Sequence, residues 1–107
     1  MFPIEDQRPI GAGELGRRLI FHGLGVSWAR EGYTPRAIVI GPTEDIKMTV
    51  AGEAVSNQPT CFAIRTINNP FPVAGTYRIW LEMRNSQKQL MLGSTRPIRL
   101  PVEATAP

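Results

Sequence analysis

The chain has 107 residues, 42% hydrophobic and 20% charged, which fits one folded domain and excludes a disordered polyelectrolyte. Its formal net charge of +3 is a mild electrostatic attraction that falls short of a nucleic-acid signature. Cys61 is the sole cysteine, so an internal disulfide and a thiolate zinc cluster are both excluded.

Ten arginines against two lysines tilt the surface toward planar, bidentate contacts at interfaces or on nucleic acid, although a coding bias toward arginine gives the same count. The opening residues, MFPIEDQRPI, lack a basic region followed by an apolar run, so no secretory signal is expected. No apolar stretch reaches the roughly 20 residues needed to cross a bilayer. A cytoplasmic chain, or one belonging to a virion-like particle assembled in a reducing compartment, is the expectation. Ten glycines and ten prolines, spread along the whole length, leave little room for long helices and favour short strands joined by turns.

Residues 1–18 read as an extended N-terminal arm, because Pro3 and Pro9 lack backbone donors and Gly11, Gly13 and Gly16 are costly to order. Residues 19–29 read as the first strand. Ile20, His22, Leu24, Val26 and Trp28 share one parity, Leu19 and Phe21 the other, and Gly23 and Gly25 allow a close approach or a bulge. A polar turn is expected over 30–36, followed by a short β-branched run from Ala37 to Ile40 that Gly41-Pro42 stops. In residues 46–50, Ile46, Met48 and Val50 alternate with Lys47 and Thr49; residues 52–59 read as a loop. Residues 60–67 form the next strand, with Phe62 and Ile64 inward and Arg65 outward.

The most regular stretch follows. Pro70, Pro72 and Gly75 set a corner, and a strand runs from Thr76 to about Arg84 with Tyr77, Ile79, Leu81 and Met83 on one face. Asn85 to Lys88 makes a hairpin into residues 89–92, Gly93 to Pro97 interrupts, and Ile98, Leu100 and Val102 point inward from the last strand. The domain is thus expected over 19–102, with 103–107 a frayed tail. The pattern predicts an all-β fold, an antiparallel sandwich of about seven short strands, with a small β-barrel as the alternative.

Little of this carries chemistry. Gly11-Ala-Gly13-Glu-Leu-Gly16 matches the dinucleotide-binding spacing, and Glu31 lies twenty residues beyond Gly11. That mechanism needs a preceding strand and a following helix, yet EDQRPI precedes it and a helix over LGRRLIFHGLG would contain two glycines. His22 is the lone histidine and has no partner evident in the sequence. Cys61 beside Phe62 reads as a core-edge thiol rather than a nucleophile. Glu44 and Asp45 read as solvated turn residues. No catalytic, cofactor or metal site is expected.

Trp80 is the exception. It falls on the polar face of the central strand, between Arg78 and Glu82, where an indole is either covered by a neighbouring segment or exposed at an interface. Arg65, Arg78, Arg84 and Arg99 are candidates to share that face, and Trp80, Arg78, Arg65 and Arg84 are the candidate partner contacts. A solvated sheet face is the plainer reading.

The stretch from Thr66 to Leu100 resembles the C-terminal half of small bacterial and phage Ig-like domains. The resemblance rests on Asn69-Pro70-Phe71-Pro72, the Gly75-Thr76-Tyr77 corner, the alternating strand, the polar hairpin near Asn85 to Lys88 and the closing strand, about a third of the chain. The inter-sheet cysteine pair of antibody domains is absent, which sets that branch aside. The resemblance implies an Ig-like sandwich used as a non-catalytic module in adhesion, capsid decoration or assembly, and it transfers no site residues. A non-enzymatic structural or interaction module with a protein partner, itself or an assembly component, is therefore expected. The alternative is a basic barrel binding single-stranded nucleic acid through Arg65, Arg78, Arg84 and Trp80 on one concave face.

Overall fold

Alternation of apolar and polar residues decides most of the elements. The computed structural model describes residues 9–22 and 24–104. In chain order the strands are β1 (Ile10–Gly11), β2 (Arg18–His22), β3 (Thr34–Ile40), β4 (Lys47–Ala51), β5 (Glu53–Ala54), β6 (Cys61–Arg65), β7 (Gly75–Arg84), β8 (Leu90–Gly93) and β9 (Ile98–Glu103). A single helical turn, α1 (Trp28–Glu31), is the one helix among them.

The larger sheet has the order β1-β9-β7-β3-β4, with β8 beside the far half of β7, and the smaller sheet has the order β2-β6-β5. The fold is an all-β sandwich, as the pattern predicts. It is mixed rather than purely antiparallel, because β1 lies parallel to β9 with Ile10 opposite Val102. Strand β7 is the centre. It pairs with β3 from Arg78 to Arg84, with β9 from Gly75 to Ile79, and with β8 from Glu82 to Arg84. Ser94 bridges the gap between β8 and β9: its N–H donates to the Leu81 carbonyl (2.9 Å), and its hydroxyl accepts from the Leu81 N–H (3.0 Å).

The core fills the space between the sheets. Tyr77, Ile79, Leu81 and Met83 of β7, Ala37 and Val39 of β3, and Leu100 and Val102 of β9 meet Leu19, Phe21, Phe62 and Ile64 of the small sheet. Phe21 and Phe62 stack tilted at 5.8 Å, and Phe71 meets Tyr77 edge-on at 5.1 Å. Burying each such large side chain contributes about 1.5–3 kcal/mol. The corner before β7 closes locally. The Tyr77 hydroxyl donates to the Val73 carbonyl (2.7 Å) and accepts from the Val73 N–H (3.1 Å). Gly75 enters the strand at φ +140°, and a Cβ there would lie 2.5 Å from Pro42.

Several expectations change. The strand expected over 19–29 ends at His22, and α1 occupies the segment read as its far end. Gly25 and Gly32 adopt φ +80° and +78°, and Gly32 caps α1 through its N–H to the Ala29 carbonyl. Trp28 turns back, its indole N–H donating to the Cys61 carbonyl at 2.8 Å. In β2, Leu19 and Phe21 are buried in the core, while Ile20 is half-buried on the other side against Cys61 and Ala63. Strand β3 begins at Thr34, inside the expected turn, because Pro35 is opposite Met83 and its carbonyl still accepts the Gly52 N–H.

The described part of the expected arm belongs to the sandwich. Ile10 is buried in the core, and Arg17 is buried where its backbone N–H meets the Thr66 hydroxyl (2.8 Å). Residues 1–8 lie outside the described residues, as do 105–107 of the expected tail, whereas Glu103 ends β9. Gly52 lets the chain switch sheets between β4 and β5, since a Cβ there would meet Phe62 at 2.6 Å.

Candidate interaction face

With Tyr77, Ile79, Leu81 and Met83 turned inward, the two-residue period of a strand turns Thr76, Arg78, Trp80, Glu82 and Arg84 outward. Register carries that face across the large sheet. Arg99 of β9 lies opposite Arg78, whose other neighbour is Ile40 of β3, and Ile40 in turn faces Lys47 of β4. The next row is Trp80, Ile38 and Thr49, and the one after it is Glu82, Arg36 and Ala51. Trp80, Ile38 and Ile40 are half-buried and lie on the side of the sheet away from the core cluster. They form an apolar strip, with Ile40 between Arg78 and Lys47 in one row, Trp80 beside Ile38 in the next, and Arg36 and Glu82 in the row beyond.

The two charged rows differ. Glu82 is buried, with its carboxylate between two guanidiniums: Arg36 donates to its Oε1, and Arg84 donates from Nε to the same oxygen at 2.9 Å. Burial raises the Glu82 pKa, but the hydrogen bonds and charges of Arg84 and Arg36 outweigh it and hold the carboxyl below the usual glutamate value. Glu82 is thus covered by its two arginines, whereas Thr76, Thr49 and Ala51 on the same face are exposed. In the other row, Arg78, Arg99 and Lys47 are exposed, and among the described residues no carboxylate lies within ion-pair distance of them.

Of the candidate contacts, Arg78, Trp80 and Arg84 share this face, and Arg99 joins them. Arg65 does not. It lies on β6 of the small sheet, opposite Arg18, and both guanidiniums meet one carboxylate oxygen of Glu53, at 2.9 Å and 3.4 Å. Its place in a different sheet separates it from Trp80. The residues missed by sequence reasoning are Arg36, Ile38, Ile40 and Lys47. The alternation of Arg36, Ile38 and Ile40 along β3 was available as a signal, but Pro35 disguised the start of that strand as a turn, and only register brings Lys47 of β4 opposite Ile40.

The remaining candidates scatter. Gly11, Gly13 and Gly16 form a crossing between sheets, held by Gly13 N–H to Phe71 O (2.8 Å) and Gly16 N–H to Thr66 O (2.9 Å). A strand follows them rather than a helix, so the geometry that binds a pyrophosphate is missing. His22 and Cys61 face each other in register, with the sulfur 3.7 Å from Nδ1. Cys61 is buried with Val55, Ala63 and Ile20 in a small cluster on the outer side of the small sheet. Glu44 and Asp45 are exposed in the turn before β4, as read, and the Thr43 hydroxyl holds Asp45 below the usual aspartate value.

A groove of about 340 Å³ opens at the sandwich edge between Met48, Val50, Ile67 and Pro70, and one of about 380 Å³ lies beside α1, lined by Trp28, Val55 and Gln58. No group of three or more potential metal ligands occurs among the described residues, and no described helix is long and apolar enough to cross a membrane. No protein-family model matches the chain, and no curated protein or solved structure matches it either.

Proposed function

We propose that the chain is a non-catalytic Ig-like module that binds a protein partner through the outer face of its large sheet, as an assembly or decoration component of a multi-subunit particle. The observation that carries this reading is the strip of Trp80, Ile38 and Ile40, apolar groups set outside the core with Arg78 in the row on one side and Arg36 in the row on the other. Tryptophan and arginine are the residues that dominate binding energy at protein interfaces. The Ig-like part is supported by the strand order, with β2-β6-β5 facing β9-β7-β3-β4, and by the Tyr77 corner.

The nucleic-acid alternative draws on the same arginines but has less support. Single-strand binding uses a series of stacking aromatics, and Trp80 is the one aromatic among the described outward residues of β3, β4, β7 and β9. Arg65, which that reading needs on the same face, is on the small sheet.

The test is purification of the protein and of Trp80→Ala from the source under native conditions with nuclease treatment, at low and high salt. A protein partner or discrete oligomer retained by the wild type and lost by Trp80→Ala is expected. Associations unchanged by the substitution would refute this face as the docking surface. Nucleic acid recovered at low salt and released at high salt would favour the alternative.

A further inference from the structure

Arginines come together in three places on the two sheets, and two of the three hold a carboxylate between them. Arg18 and Arg65 stand opposite each other on β2 and β6, and Glu53 bridges them. Arg36 and Arg84 flank Glu82, which bridges them in turn. Arg78 and Arg99 stand opposite each other on β7 and β9, and no carboxylate of the described chain reaches either. Like charges directly opposite on neighbouring strands repel, so this pair weakens the free protein. Lys47, in the same row beyond Ile40, adds to the positive field.

Resting on the docking face proposed above, we propose that the partner is an acidic protein segment. It places a carboxylate, from a glutamate, an aspartate or a chain terminus, between Arg78 and Arg99, and an apolar side chain on Trp80 and Ile38. One carboxylate held between two guanidiniums is an arrangement this chain already builds, with Glu53 across a directly opposed pair and with Glu82 beside Arg36 and Arg84. The face's charge argues against a second copy, since face-to-face pairing would set Arg78, Arg99 and Lys47 against cations of the same kind. Aliphatic Ile38 and Ile40 beside a lone indole suit a protein side chain better than a run of stacked bases.

The probe is a short synthetic peptide of alternating glutamate and leucine, titrated while the Trp80 indole N–H resonance is followed; that resonance is identified by its loss in Trp80→Phe. Saturable shifts are expected, weakened by added salt, with affinity falling roughly ten-fold in the Arg78→Gln/Arg99→Gln double variant. Free of peptide, that double variant is expected to melt no lower than the wild type at low salt, whereas Arg36→Gln melts lower. A lower melting point for the double variant would mean the pair is already satisfied in the free protein, and the proposal falls.

It also falls if the acidic peptide does not bind, or binds equally well to the double variant. Equal binding by the same peptide with lysine in place of glutamate, abolished by Trp80→Ala, would keep the docking face and overturn the acidic partner. Loss in the arginine variant with none in Trp80→Ala would keep the carboxylate site and overturn the apolar docking face. Displacement of the peptide by oligothymidylate at equal concentration would replace the protein partner with nucleic acid.

Discussion

Tyr77 shows how far a single residue can be read from its neighbours. A tyrosine two places after a glycine, at the entry of an alternating strand, predicts a hydroxyl that bonds back to the preceding loop, and its partner is Val73. Tyr77→Phe keeps the buried ring and removes both hydrogen bonds, so a loss of about 1 kcal/mol in urea unfolding is expected. No change would mean the corner is held by packing alone.

Glu82 was legible only in part. Alternation turns it outward, but nothing in the sequence announces that Arg36 and Arg84 close over it. Its folded pKa lies below the ordinary 4.5, so its ionised form favours the native state. That contribution is complete above the unfolded value and is lost as pH falls through the folded one. Glu82→Gln is therefore expected to be less stable than the wild type at neutral pH, and the difference should narrow as pH drops below 4.5. A gap that stays constant with pH would show that the carboxylate charge is not what the two arginines hold.

At the scale of elements, strands with clean alternation were found almost to the residue, and those whose ends depend on distant partners were not. Strand β7 has its inward row of Tyr77, Ile79, Leu81 and Met83 written in its sequence, Glu82 being the departure from the alternation. Strand β2 does not, because the apolar row continuing past His22 into Val26 and Trp28 mimics a strand while α1 folds back toward the Cys61 carbonyl. The two-residue strands β1 and β5 lack any period to detect, and they exist because β9 and β6 offer them an edge. Gly75 joins the two kinds of information. It was legible as a corner, while its contact with Pro42, more than thirty positions away, was not. Gly75→Ala meets both an unfavourable φ and that proline, so a loss of about 1–3 kcal/mol is expected in thermal or urea unfolding. A neutral result would mean Pro42 yields at no cost.

For the molecule as a whole, the sandwich and its core followed from period and punctuation, whereas the candidate face needed the register between strands. Sequence alternation assigns Arg78 and Arg99 to outward positions but cannot say that they stand side by side, or that Arg65 stands apart with Glu53. The parallel pairing of β1 with β9 has a mechanical consequence. Ile10 and Gly11 lie beside Val102 and Glu103, and the Ala12 N–H adds a bond to the Glu103 carbonyl at 2.7 Å. The chain enters this pair at the start of β1 and leaves it at the end of β9, which for parallel strands are opposite ends. Tension drawn along the polypeptide therefore loads these hydrogen bonds together in shear instead of peeling them one at a time.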